Sequence, residues 1–170
     1  GVLLLAKKRS ALINLHQQMR DGKYDKRYLC LVLGKWQNVK QHVKLPLHKF
    51  NAQNGEKRVM VREDGQASYT IFTLQKNWPE FSLLEAQLKT GRTHQIRVHL
   101  SHLGFPIAGD DKYGDFARNK ELIKQRLKRM FLHAYSITFA HPLTAEVVRL
   151  NAPLPKELQE FMDKLDGRCL

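Results

Sequence analysis

Between residues 58 and 89 three β-rich stretches follow one another with very short turns between them, and this spacing constrains the fold more than any other feature. Residues 58–62 alternate polar and apolar side chains, and Glu63-Asp64-Gly65 turns them into a longer strand over about 67–76. Asn77-Trp78-Pro79 then separates that strand from another over 81–89. Parallel strands need a crossover of a dozen residues or more, so turns this short make antiparallel hairpins. Residues 28–33, closed by Gly34, read as a further strand. Residues 131–140 and 146–151 read as a hairpin turned by His141-Pro142-Leu143-Thr144. Residues 2–6 read as a short buried strand. Residues 35–57, with Pro46, Asn51, Asn54 and Gly55, read as loop.

Helical periods are set between these strands. Ser10 is placed to cap a helix on which Leu12, Leu15, His16 and Met19 recur until Gly22. A basic helix is expected over about 117–129, with Arg118, Lys120, Lys124, Arg126, Lys128 and Arg129. A last amphipathic helix opens at Pro155 and carries Leu158, Phe161, Met162 and Leu165. No repeat or linker divides the chain. The expected fold is α+β: a mixed, mostly antiparallel sheet with peripheral helices, in one domain over 1–170.

The segment TGRTHQIRVHL, residues 90–100, departs from the ordinary pattern. Gly91 breaks the preceding strand, Thr93 is a good N-cap and Gly104 a good stop, which predicts a helix over 94–103. Ile96, Leu100 and Leu103 share one side of it, and His94, Arg97 and Ser101 the other. A core face and a polar face are thus combined on one short helix. Arg97 is the most informative residue, because a buried guanidinium without a carboxylate or phosphate partner is strongly unfavourable. A structural salt bridge and a site residue both fit the pattern.

The 170 residues carry 29 Lys and Arg against 16 Asp and Glu, a formal net charge of +13, which favours polyanionic partners and nucleic acid first among them. No long apolar span suggests a membrane. The two cysteines, Cys30 and Cys169, make neither a disulfide framework nor a zinc ligand set, which fits a reducing cytoplasm. The apolar run at the N-terminus precedes its charges, the reverse of a secretory signal.

The remaining candidates are weighed individually. His94, His99 and His102 lie five and three residues apart, but no Cys or acidic partner stands at a metal-motif spacing, so no metal is expected. No GxxxxGK[ST] loop, GxGxxG turn or GxSxG elbow is present. Asp110 and Asp111, in the glycine-rich loop GFPIAGDDKYG, read either as a paired-carboxylate site or as a turn; adjacent residues usually point apart. Tyr28 is either a cross-strand aromatic or a stacking platform for an RNA base. The basic helix is either a solvated face or a phosphate contact.

Taken together, KRYLCLVLG, LKTGRTHQIRVHLSHLGFPIAGDDKYGD and FLHAYSITFAHP resemble the RluA family of pseudouridine synthases over nearly the whole chain. Cys30 stands where the family's strand usually has alanine. The resemblance implies the pseudouridine synthase fold and the isomerisation of uridine to pseudouridine in 23S ribosomal RNA, without cofactor or metal, by a monomer. It also implies an aspartate nucleophile in an HRLDxxTSG motif that would fall just before Gly1, preceded by an S4-like RNA-binding domain. The chain is therefore expected to be a catalytic domain incomplete at its N-terminus and inactive alone. On the same resemblance Tyr28 matches the active-site tyrosine, and Arg97 the arginine that pairs with the aspartate. Arg97 is then expected in a cleft beside Tyr28 and near Gly1, with water, an anion or a neighbouring residue in the aspartate's place. Arg92, His94, Gln95, Lys112 and Tyr113 are expected to contact RNA. A non-catalytic ribosomal RNA-binding protein would explain the charge equally well, but not Tyr28 and Arg97 in these contexts. A metal-dependent nuclease is more distant.

Overall fold

The computed structural model describes residues 1–167; Cys169 lies outside them. The elements run α1 (Arg9–Arg20), β1 (Asp25–Leu33), β2 (Lys40–Val43), β3 (Leu47–Asn51), β4 (Lys57–Val61), β5 (Thr70–Asn77) and β6 (Phe81–Leu88). They continue with α2 (Gln95–His102), α3 (Phe116–Lys124), β7 (Leu132–Ala140), β8 (Val147–Asn151) and α4 (Lys156–Leu165). Six strands form one sheet in the order β2-β5-β6-β1-β7-β8, every pairing antiparallel, while β3 and β4 form a separate hairpin. The α+β expectation holds, with a sheet that is antiparallel throughout.

Alternation along β1 explains the layering, because successive side chains point to opposite faces. Cys30 and Val32 join Phe72, Leu84 and Ala86 on one face, covered by Ile96 and Leu100 of α2 and by Trp36. Leu31 joins Phe81 and Leu83 on the other, covered by Leu122 of α3 and by Leu158 and Phe161 of α4. The hairpin docks separately: Leu47 and Val59 pack on Val98 of α2, with Tyr113 beside them. Helix α2 is therefore held between the sheet and the hairpin, which fixes its polar face.

Several expectations are corrected. Residues 2–6 form no strand. Val2 N donates to Ala134 O at 2.8 Å, no ladder follows, and Leu3 and Leu5 are exposed. The supposed loop over 35–57 contains β2 and β3. Helix α3 stops at Lys124, short of residue 129, and Arg126 adopts φ 70° in the turn that follows. Lys8, not Ser10, precedes α1. Thr93 does not cap α2; that position belongs to His94, in the left-handed region at φ 53°. A non-glycine residue there costs on the order of 1–3 kcal/mol and persists only where its surroundings hold it.

Candidate active site

Helix α2 meets β1 and the start of β7 at a cleft of about 280 Å³, lined by Tyr28, Leu88, Arg92, His94, Gln95, Ile96, Arg97, Met130 and Leu132. Tyr28 sits mid-strand, opposite Ala86 on β6 and Ala134 on β7. Two small neighbours leave room beside its ring for a planar group. Lys26 lies 5.2 Å from the ring centroid. A second depression of about 180 Å³ shares Tyr28, Leu88 and Arg92 and adds Tyr24 and Lys26. Gly1 packs against Ala134, the strand partner of Tyr28, so the chain begins beside the cleft.

Arg97 lies in this cleft with its side chain 13 % exposed, and Asp110 clamps it. Arg97 Nε donates to Asp110 Oδ2 at 2.9 Å and Nη2 to Oδ1 at 2.7 Å, a bidentate pair. The carboxylate, 1 % exposed, also accepts from the backbone N–H groups of Lys112 at 2.9 Å and Tyr113 at 3.0 Å. Burial opposes its ionisation, but Arg97 and those two N–H groups outweigh burial and hold its pKa below the usual carboxylate value. The same pair raises the pKa of Arg97. A neighbouring residue thus partners Arg97 along its Nε–Nη2 edge. Among the described residues Arg97 Nη1 makes no hydrogen bond.

Asp111 is 96 % exposed and stands 3.6 Å from Arg97, so the two aspartates point apart and form no carboxylate dyad. Two glycines permit this turn. A Cβ on Gly114 would meet Asp110 O at 2.2 Å, and one on Gly109, at φ 81°, would meet Arg129 O at 2.5 Å.

Arg97 also stacks over the Tyr113 ring, 5.0 Å from its centroid. The Tyr113 hydroxyl accepts from Val59 N at 3.0 Å, so its proton is directed to His94 Nδ1 at 2.8 Å. That proton requires an unprotonated Nδ1. Burial first, then the cations Arg97 and Lys112, lower the pKa of His94 in agreement. The imidazole is held neutral, with its proton on Nε2.

The other RNA candidates divide by what their side chains already do. Arg92 and His94 line the cleft. The Lys112 ammonium is bound to Glu56 Oε1 at 2.6 Å. Tyr113 lies beneath Arg97 as a brace. Gln95 also lines the cleft, is 2 % exposed, and has its side-chain amide used within the fold. Its Oε1 accepts from Thr90 Oγ1 at 2.7 Å and Arg92 N at 3.0 Å; its Nε2 donates to Tyr69 O at 3.0 Å and Thr70 Oγ1 at 2.8 Å. His99 continues this network, with Nδ1 3.0 Å from Thr70 Oγ1 and Nε2 2.9 Å from Leu45 O. Burial lowers its pKa. A histidine spent in this way cannot share a metal with His94 and His102. Among the described residues no group of three His, Cys, Asp or Glu could hold a metal ion.

Sequence reasoning weighed Asp110 only as half of a dyad or as part of a turn. The signal for its real partner was the pair of flanking glycines, which tighten the loop until one aspartate turns inward.

Residues 1–102 match the family model described as RNA pseudouridylate synthase. The chain belongs to the RNA pseudouridylate synthase family. Ribosomal large subunit pseudouridine synthase C of Pasteurella multocida (strain Pm70) is 47 % identical over 165 residues, 97 % of this chain and 51 % of that protein. The protein of the same name from Haemophilus ducreyi (strain 35000HP / ATCC 700724) is 48 % identical over 165 residues, 97 % of this chain and 52 % of its own. The chain spans about half the length of these relatives. Human RNA Pseudouridylate Synthase Domain Containing 1 superposes with a TM-score of 0.74 at 25 % identity, covering 96 % of this chain and 66 % of that one. Human RNA Pseudouridylate Synthase Domain Containing 4 shares the fold, with a TM-score of 0.76 at 22 % identity over 98 % of this chain and 71 % of that one. Within this pseudouridylate synthase framework, Arg97 and Tyr28 occupy one cleft on the α2 side of the sheet. Among the described residues no helix is long and apolar enough to cross a membrane.

Proposed function

We propose that residues 1–170 are the catalytic domain of a pseudouridine synthase that isomerises specific uridines of 23S ribosomal RNA. In this reading Tyr28 and Arg97 are site residues, and the aspartate nucleophile is carried by sequence preceding Gly1. One observation carries the reading: a fixed guanidinium and an aromatic ring line the same cleft, whose walls contain no carboxylate. Asp110 does not serve as nucleophile, because both of its oxygens accept hydrogen bonds within the fold. The Nη1 edge of Arg97 is available for a second carboxylate, held ionised in a partly desolvated pocket.

The chemistry follows from these parts. A uridine flipped out of the RNA stacks on Tyr28, and the aspartate forms a covalent bond to it as the glycosidic bond breaks. The base turns and rejoins the ribose through carbon as the bond to the aspartate breaks; Tyr28 assists removal of the proton from that carbon, and the ring nitrogen freed by the cleavage takes up a proton. Nothing in this sequence of steps requires a cofactor. Arg92 and His94, on the cleft wall, serve the RNA strand.

The test grafts onto Gly1 the preceding segment of the Pasteurella multocida relative and incubates the product with 23S ribosomal RNA. Carbodiimide modification and primer extension read the pseudouridine formed. The grafted protein is expected to turn over and the 170-residue chain is not. Turnover by the chain alone would overturn the placement of the nucleophile. RNA binding without isomerisation by the grafted protein would favour a non-catalytic RNA-binding protein.

A further inference from the structure

On the far side of Thr93 from the cleft lies a separate cavity of about 440 Å³ between the β3–β4 hairpin and the loop that enters α2. Lys49, Asn51, Lys57, Arg58 and Thr93 line it, with Phe50 and Val59. Four of these five polar side chains share a property that Arg58 and the nearby cations lack. Arg58 and Lys112 are bound to Glu56, and Arg62 to Asp64. Among the described residues Lys49, Asn51, Lys57 and Thr93 have no side-chain hydrogen bond or ion pair. Thr93 is well placed in sequence to cap α2, yet His94 takes that position and the Thr93 hydroxyl is left for the cavity.

We infer that this cavity binds a nucleotide of the RNA strand next to the one that enters the cleft. The inference rests on the RNA-modifying function proposed above and extends it to a second contact point. Lys49 and Lys57 supply two unpaired ammonium groups for a phosphodiester, a polyanion's repeating feature. Asn51 and Thr93 supply a donor–acceptor pair and a hydroxyl for a ribose or base edge. Phe50, partly exposed at the cavity, offers a ring on which a base stacks. Thr93 lines this cavity and His94 the cleft, so consecutive residues divide the two sites and a continuous strand passes from one to the other.

The test measures binding of the 170-residue chain to a fluorescein-labelled oligouridylate of about 12 nucleotides across a salt series. With about five phosphates contacted, log affinity should fall with log salt at a slope near −3.5. The Lys49→Gln/Lys57→Gln double substitution should make the slope shallower by about 0.7 to 1.4, one or two phosphates, with an unchanged melting temperature. Phe50→Ala should weaken binding about fivefold or more, as expected for loss of a stacked base. Lys120→Gln/Lys124→Gln, an equal loss of charge on α3, should leave the slope unaltered. Equal changes from both lysine pairs, or none from Lys49 and Lys57, would overturn the inference. So would displacement of the oligonucleotide by micromolar uridine monophosphate, which would make the cavity a mononucleotide site. Failure of the grafted protein to isomerise uridine, with the Lys49 and Lys57 effect intact, would remove the enzymatic reading alone.

Discussion

Helix α2 and the loop before it carry two polar constellations that differ in how completely they are closed. In one, protons can be assigned along an unbroken chain. Tyr69 N donates to Thr90 Oγ1, Thr90 to Gln95, Gln95 to Thr70, Thr70 to His99 Nδ1, and His99 Nε2 to Leu45 O. Every donor finds an acceptor inside the fold. In the other, Asp110, Arg97, Tyr113 and His94 are tied together just as tightly, yet Arg97 Nη1 and His94 Nε2 remain without partners among the described residues. Both sets draw on the same short segment, Gln95 and His99 in one and His94 and Arg97 in the other. Closure marks a polar group as scaffold, and a held group with one donor to spare as a site.

The largest effect should come from opening the clamp. Arg97→Ala leaves the Asp110 carboxylate buried without its cation, and breaking such a pair costs about 3–5 kcal/mol. In the upstream-grafted protein it should also abolish most isomerisation, while RNA affinity stays nearly unchanged. The double substitution Arg97→Ala/Asp110→Asn separates the two roles: it should recover much of the melting temperature and none of the turnover. Recovered turnover would make Arg97 part of the scaffold. Arg97→Lys should also perform poorly, since a point charge cannot reproduce the bidentate fork to Asp110.

Closing the comparison from the scaffold side gives the next effect. His99→Leu leaves the Thr70 hydroxyl proton without its acceptor, at about 1–3 kcal/mol, while Leu45 O keeps Ser68 Oγ at 2.6 Å, yet turnover per folded molecule should be kept. The wild-type acid limb should follow from the histidines. Burial lowers the pKa of His99 below its ordinary value near 6.5, and His94 is lowered in the same direction. As pH falls below about 6.5 the unfolded chain takes up protons that the folded chain refuses, so stability declines. His99→Leu should flatten that decline in denaturant titrations between pH 7 and 5. An equally steep limb in the variant would remove His99 from the account.

Tyr113→Phe should act more gently, because the ring remains beneath Arg97 while the hydroxyl between Val59 and His94 is lost. About 1 kcal/mol of stability is the expected cost. Isomerisation by the grafted protein should fall by more than that loss explains, because His94 is freed to change tautomer. A variant with full turnover would place Tyr113 and His94 in the scaffold.

These two constellations were not equally legible in the sequence. The short turns forecast the antiparallel sheet, and the glycines around residues 91 and 104 forecast α2. Tyr28 and Arg97 stood out by residue type and pattern, but their meeting was reached through family resemblance, because periodicity cannot bring residues 69 positions apart into one cleft. Strands β2 and β3 were missed because Pro46, Asn51, Asn54 and Gly55 dilute any alternation; the hairpin is held by Leu47 and Val59 packing on Val98, a tertiary cause. Asp110 and Asp111 are indistinguishable by residue type, and only the backbone turn decides which faces Arg97. The closed network was equally hidden, since Gln95 on a polar face reads as exposed until Thr70 and Tyr69 are seen beside it.

The smallest effect is expected where charge is densest. Arg126, Lys128 and Arg129 lie in a stretch that reads as either a solvated face or a phosphate contact. Leu122 and Leu127 anchor this stretch to the sheet face carrying Leu31, Phe81 and Leu83, opposite the one that α2 covers. Nearby cations are also committed elsewhere: Arg118 bridges Glu80 and Glu121, and Arg129 stands 3.8 Å from Glu157. Replacing Arg126, Lys128 and Arg129 with alanine removes three charges but should change the salt slope of oligonucleotide binding by less than about 0.7, the increment of a single phosphate. Affinity should fall only by the general loss of attraction, which fades as salt is raised. A slope shallower by two phosphates or more would put the RNA across both faces of the sheet. The contrast between a closed scaffold and an open site would then fail as a guide to where this chain meets its partner.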